Sequence, residues 1–271
     1  MILNDLVAAA RTALERRRTA LPEASLRERL AGLPAPIDMA ARLRPSGSGR
    51  ATGLAVIAEV KRASPSRGDL NVALDPAAMA VRYARAGAAA VSVLTEESRF
   101  RGSLGDLTAA RRGLREAGLE TPLLRKDFIV APYQLVEARL AGADAALLIA
   151  AILDDAALER LLREALDLGL TPLVEVHDEA ELRRVLPLRP PVIGINNRNL
   201  ADFAVDVDTT RRLRPLVPPG IVVVSESGIR TPEQMAELAR LGVDAVLVGE
   251  ALVTAPDPAA RLAEFLEAGR C

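Results

Sequence analysis

From residue 53 onward, short apolar runs of strand character alternate with Ala/Leu/Glu/Arg segments of helical period, eight times over. The spacing predicts strands at 55–61, 89–95, 121–127, 145–150, 171–176, 192–197, 221–226 and 245–249, and helices near 75–86, 104–117, 131–140, 154–168, 178–186, 207–213, 231–241 and 257–268. Continuous apolar strands are buried on both faces, and strict strand–helix alternation makes the sheet parallel. The punctuation repeats too. Ala86-Gly87-Ala88-Ala89-Ala90, Ala141-Gly142-Ala143-Asp144-Ala145 and Leu241-Gly242-Val243-Asp244-Ala245 each end a helix on glycine and open a strand. Eight such units match a (βα)8 TIM barrel, whose usual length is about 250 residues. An open doubly wound sheet is the rival, but it needs two edge strands, and none of the eight runs is polar enough for an edge.

Residues 1–50 stand outside the repeat as an N-terminal helical extension of what reads as one barrel domain over 1–271. Leu3, Leu6, Val7, Ala10 and Leu14 form an apolar helical stripe, followed by Leu26, Leu30 and Leu33, then a Pro/Gly/Ser-rich loop from Pro34 to Gly53. Such an extension either caps the barrel floor or covers its mouth, and the sequence leaves both open. Arg16-Arg17-Arg18 reads as a solvated face.

A chain of 271 residues, half of them apolar, can bury a full core. A formal charge of −1, four Phe, two Tyr and no Trp argue against a nucleic-acid groove, which wants a basic face and stacking aromatics. The single cysteine, Cys271, allows no internal disulfide and no cysteine metal site, which fits a reducing cytoplasm. Met1 to Arg18 lacks the basic-then-apolar order of a signal peptide and contains Asp5 and Glu15, and no apolar run is long enough to span a bilayer.

Of the 35 basic residues only Lys61 and Lys126 are lysines. Arginine stays charged and forked at any physiological pH, whereas lysine is a compact donor whose pKa responds to its surroundings, so of the Lys and Arg side chains only these two can serve as a proton donor or amine nucleophile. Each closes an apolar run, where a barrel keeps its reactive groups. With alternation of period two, Glu59 and Lys61 share a side of the first strand with Ile57, and Lys126 shares the lumen with Leu124 while Arg125 points to the helices. By the same count Glu175 follows Leu173, Asn196 and Arg198 follow Gly194, and Glu226 follows Val224.

A buried charge must be paired or neutralised, so each of these could be an interior salt bridge, Glu59 with Lys61 being the obvious one. Three glutamates, two lysines and an asparagine converging at one end favour a reaction site. The seventh and eighth strands finish Ser225-Glu226-Ser227-Gly228 and Val248-Gly249-Glu250, in the loops where this fold cradles phosphate, and Ser64 could add a hydroxyl across the mouth. Gly228 and Gly249 would also suit plain tight turns. His177 is the sole histidine; beside Asp178, a helix N-cap, it reads as a polar loop residue. One histidine and one terminal cysteine leave no transition-metal inventory, and no clustered Asp motif suggests magnesium.

These stretches closely resemble the indole-3-glycerol phosphate synthase family. The resemblance rests on Ile57 to Ser66, Ser92 to Glu96, Phe100 with Gly102-Ser103-Leu104, Leu124 to Ile129, Leu173 to His177, Gly194 to Leu200, Ser225 to Ile229 and Val248 to Leu252. It runs through nearly the whole chain, with Arg99 standing where the family commonly has a second aromatic before Phe100. It implies a cytoplasmic, cofactor-independent lyase. That enzyme closes 1-(2-carboxyphenylamino)-1-deoxyribulose 5-phosphate to indole-3-glycerol phosphate, with loss of carbon dioxide and water. Carried over by position, Lys126 is the acid for ring closure. Lys61 is the acid for dehydration and partner of the substrate carboxylate, and Glu175 is the base. Glu59 orients Lys61, and Glu226 supports the network. The resemblance further implies Asn196 and Arg198 at the anthranilate end, Phe100 and Phe128 as walls of the aryl pocket, and Ser64, Ser227, Gly228, Gly249 and Glu250 around the phosphate. The implied partner is a small anionic phosphosugar, with no nucleic acid or membrane, and the chain itself a monomer or small homo-oligomer. A Schiff-base aldolase on a sugar phosphate, which also needs a strand-end lysine, and a non-catalytic phosphosugar-binding barrel are the alternatives.

Overall fold

A computed structural model describes residues 2–44, 53–199 and 204–270; Cys271, residues 45–52 of the Pro/Gly/Ser-rich loop and Leu200 lie outside them. Eight parallel strands close on themselves: β1 (Ala55–Val60), β2 (Ala90–Leu94), β3 (Leu123–Lys126), β4 (Ala145–Ile149), β5 (Thr171–Val176), β6 (Val192–Asn196), β7 (Val222–Glu226) and β8 (Ala245–Val248). Closure is made by β1, which pairs with β2 through Ile57 and Ala90 and with β8 through Ala55 and Ala245. The eight-stranded sheet is closed, so the doubly wound alternative falls. The long connecting helices lie within a residue or two of the expected spans: α4 (Pro76–Arg85), α5 (Leu104–Glu116), α6 (Pro132–Leu140), α7 (Asp155–Asp167), α8 (Glu179–Val185), α9 (Asp208–Leu213), α10 (Pro232–Arg240) and α12 (Pro258–Ala268).

Alternation along the strands builds two separate cores. In β1, Val56, Ala58 and Val60 pack outward against the helices, while Ala55 and Ile57 join Leu124, Leu147, Leu173, Val224 and Leu247 inside the barrel. Each repeated glycine takes a left-handed backbone to stop its helix, with φ of 98° at Gly87, 92° at Gly142 and 73° at Gly242. The aspartates of those repeats serve the floor. Asp244 accepts a bond from Val223 N at 2.8 Å, and Asp144 accepts one from Leu123 N at 2.8 Å.

The N-terminal extension supplies both of the structures that the sequence left open. Its first helix, α1 (Ile2–Ala20), brings Leu3 and Leu6 to the barrel mouth; further along, Leu14 packs with Leu26 of α2 (Glu23–Glu28), Tyr133 and Val136 on the outside. The segment expected to be loop from Pro34 to Gly53 instead contains α3 (Met39–Leu43), whose Met39 and Leu43 are fully buried against the inner core. Polar anchors hold this plug: Asp38 caps it through Ala41 N, Met39 N donates to Thr171 Oγ1 at 3.2 Å, and Ile37 N to Asp144 Oδ1 at 2.8 Å. Two further pieces were not expected, a two-residue hairpin (Ala63–Ser64 with Gly68–Asp69) after β1 and the four-residue α11 (Glu250–Val253) after β8.

Candidate active site

The inward positions at the carboxyl ends of the strands change from aliphatic to ionisable. Ile57 gives way to Glu59 in β1, Leu124 to Lys126 in β3, Leu173 to Glu175 in β5 and Val224 to Glu226 in β7, with Asn196 closing β6. Lys61 lies one residue past the end of β1. These side chains border one cavity at the mouth, about 1130 Å³ counted out to open solvent, ample for a drug-sized ligand. Ser64, Phe100, Phe128, Arg198, Ser227, Gly228, Gly249 and Glu250 line it as well, so the cavity gathers every site position singled out in the sequence.

Charge is shared unequally inside. Lys61 Nζ sits 2.6 Å from Glu59 Oε1, and Lys126 Nζ lies between Glu175 Oε2 at 3.3 Å and Glu226 Oε2 at 3.5 Å. Burial works against the Lys126 charge, but Glu175, Glu226 and Glu59 outweigh it and hold the amine protonated beyond its ordinary range. The two carboxyls beside it diverge. Burial would raise Glu175, yet Lys126, His177 and Asn196 overcome that and keep it well below the usual carboxylate range. Glu226 has only Lys126 to offset burial and the negative charges of Glu175 and Glu59, its Oε1 has no hydrogen-bond partner, and it is pushed up to about 8. At neutral pH this is a charged amine between an ionised and a neutral carboxyl, a pairing that separates base from acid.

Close approach explains two glycines. A Cβ at Gly249 would overlap the Glu59 carboxylate and come within 3.0 Å of Lys61 Nζ, so its bareness makes room for that ion pair; at Gly194 it would overlap Glu226. Gly228 (φ 79°) and Ser227 (φ 65°) both adopt left-handed backbone after β7, and a Cβ at Gly228 would strike Val205. Ser64 Oγ is buried without a partner, and Glu250 accepts from Arg67 at 2.8 Å and Arg230 at 3.5 Å across the rim. Among the described residues, no group of three His, Cys, Asp or Glu could hold a metal ion.

The sequence profile of indole-3-glycerol phosphate synthase matches residues 3–265. The chain belongs to that family. Curated synthases of this name are 53% identical over 257 residues in a Nocardioides species (95% of each chain), and 50% identical over 269 residues in Dehalococcoides mccartyi (98% of this chain, all of the relative). One from Streptomyces griseus is 48% identical over 268 residues, covering 99% of this chain and 96% of the other. Among solved structures, 3-hexulose-6-phosphate synthase from Salmonella typhimurium superposes with a TM-score of 0.61 at 15% identity, covering 79% of this chain and 98% of that one, which speaks to the barrel alone. The activity of this synthase is closure of the indole ring with loss of carbon dioxide and water, a carboxy-lyase step in tryptophan biosynthesis.

Two residues at or beside the cavity were not given a part by sequence. His177 is no free loop residue: Nε2 stands 3.2 Å from Glu175 Oε1 and Nδ1 3.1 Å from Glu181 Oε2. The alternation that turns Leu173 and Glu175 inward also turns residue 177 inward, a signal set aside in favour of its neighbour Asp178. Glu96 lines the cavity and folds the loop that carries Phe100, accepting from Ser98 N at 2.8 Å, Arg99 N at 2.8 Å and Phe100 N at 3.1 Å. Arg99 itself is exposed and lies off the cavity lining, so Phe100 and Phe128 are the aromatic walls.

Proposed function

We propose that Lys126 is the general acid of ring closure, Lys61 the acid of dehydration and Glu175 the base of this synthase. The observation that carries the reading is Lys126 Nζ held between Glu175 and Glu226 at 3.3 and 3.5 Å, above an aliphatic floor. Ring closure needs a proton at the ketone oxygen as the aryl carbon attacks it, and a charged amine at the cavity wall supplies one. Loss of carbon dioxide restores the aryl ring. Dehydration then needs a proton on the departing hydroxyl, from Lys61, and removal of a ring proton by ionised Glu175. Transfer from Glu175 to Lys126 across 3.3 Å resets that pair, and Lys61 regains its proton from solvent, the one proton that loss of carbon dioxide from a carboxylate consumes. Glu59 orients Lys61, and Glu226, pushed up to about 8, stands beside Lys126 at pH 7 without adding a full second negative charge.

Phe100 and Phe128 sandwich the aryl ring, with Asn196 and Arg198 at its carboxylate end. Ser64, Ser227, Gly228 and Gly249 receive the phosphate. Glu250, a carboxylate, acts there by holding Arg67 and Arg230 at the rim. The charged state of Lys126 argues against a Schiff-base aldolase, whose lysine must lose its proton to attack a carbonyl. The chain works as one domain in the cytoplasm on a free phosphosugar, with no nucleic acid, as a monomer or small homo-oligomer; among the described residues no helix is long and apolar enough to cross a membrane. The test is direct. The chain has no Trp, so indole emission on adding the carboxyphenylamino ribulose phosphate rises from almost no background, and its absence from folded protein at saturating substrate refutes the reading.

A further inference from the structure

Glu175 is 1% exposed, and its two oxygens face different neighbours. Oε2 faces Lys126, whereas Oε1 faces the imidazole of His177. The terminal torsion of a glutamate is broad and nearly two-fold, so a buried carboxylate keeps one orientation only if something distinguishes its oxygens. Behind the imidazole, Glu181 Oε2 takes both His177 N at 2.8 Å and Nδ1 at 3.1 Å, and Asp178 in turn caps Glu181 N at 2.8 Å. The ring is thus held by hydrogen bonding on Nδ1, while Nε2, which has no hydrogen-bond partner, meets Oε1 of the base as an ion-pair contact at 3.2 Å.

We propose that His177 is a positioning residue for this reaction: wedged between Glu181 and Glu175, it fixes Oε1 of the base and leaves Oε2 to Lys126 and the substrate. The inference rests on reading Glu175 as the base. The charged groups around the pair come from every packed element: Lys126 on β3, Glu226 on β7, Glu59 on β1, Glu181 and Asp178 at the head of α8, and Asp206 and Arg212 across a second, open cavity that His177 also lines. Burial pulls the imidazole down, but Glu175 and Glu181 outweigh it and raise it to about 10, so the wedge is cationic at neutral pH.

The experiment uses the full chain without a histidine tag. His177→Ala should lower kcat roughly 10- to 100-fold with KM within about twofold, the signature of a misplaced catalytic group. Its acid limb in kcat/KM should move up by about one pH unit, because a neighbouring cation no longer favours ionised Glu175. His177→Gln, which can still donate to Oε1 but carries no charge, should recover part of kcat and none of the limb shift. Glu181→Gln should move the limb the same way by less. Since the chain has one histidine, its imidazole resonances are unambiguous, and they should stay in the protonated form to about pH 10 and titrate lower in Glu175→Gln. A folded His177→Ala with parental kcat and an unmoved limb overturns the proposal, as does an imidazole titrating near its ordinary value should that variant fail to fold. If Glu175→Gln is inactive while the His177 variants are unaffected, only the positioning role falls; if Glu175→Gln turns over normally, the base assignment falls and takes this one with it.

Discussion

Replacing Lys126 with arginine separates a proton donor from a structural counter-ion. The side chain is 16% exposed and faces two glutamates that are 1% and 2% exposed, so the cavity depends on a cation here. Arginine keeps that charge and can fork between Glu175 and Glu226, so the folded state should change little. Lys126→Met, by contrast, strands buried carboxylate charge, a loss of about 3–5 kcal/mol. At about 2–4 °C per kcal/mol for a chain of this order, its melting temperature should fall by roughly 6–20 °C. Chemistry should not follow that ranking. A planar guanidinium holds its protons in a rigid fork that misplaces the donor relative to a compact ammonium, and general acid catalysis contributes about 10²- to 10⁴-fold, or roughly 2.7–5.4 kcal/mol of barrier. Stopped-time indole fluorescence should therefore find both variants deeply impaired in kcat, while calorimetry finds only Lys126→Met destabilised. An arginine variant turning over within a few-fold of the parent would make Lys126 an ion-pair partner and end the acid assignment.

Glu226→Gln should be much milder in kcat than Glu175→Gln, since an amide imitates the neutral acid that burial makes of Glu226; equal losses in steady-state rates would refute that protonation. A carboxyl raised from 4.5 to about 8 by folding loses stability as pH rises through that window, so thermal melts from pH 5 to 8 should increasingly favour Glu226→Gln over the parent. Gly249→Ala should lower kcat/KM by on the order of 10- to 100-fold, because its methyl displaces Glu59 and Lys61, with an unchanged circular dichroism spectrum; parental kinetics would show that the pair has room to move. Met39→Ala in the floor plug should cost about 2–5 kcal/mol in denaturant unfolding without altering KM, whereas Leu6→Ser at the mouth should raise KM. Matching effects from the two substitutions would mean that the extension serves one end only.

The strands were legible because each is a continuous apolar run buried on both faces, and their ends were legible because glycine or a capping Asp, Ser or Thr stands there. Lys126 and Glu175 followed from parity within single strands. Short pieces were harder. Five residues of α3 carry too few turns for a period, and only Asp38 before Met39 hinted at a helix inside a Pro/Gly/Ser-rich stretch. The hairpin at Ala63–Ser64 has two residues per strand, too few for alternation to show. What no single strand encodes is contact across the barrel: that Gly249 stands against Glu59, or that Gly194 leaves room for Glu226, depends on the stagger of closed strands.

The near-absence of lysine, joined to where the two lysines sit, gives this protein an unusual covalent surface. Lys61 and Lys126 are 14% and 16% exposed inside the same cavity, and the other basic residues are arginines. Amine-directed acylating reagents therefore find no lysine on the outer surface, because both lysines of the sequence lie within the mouth. A lysine-borne acyl group would then report that the mouth had opened, since every lysine amine lies inside it.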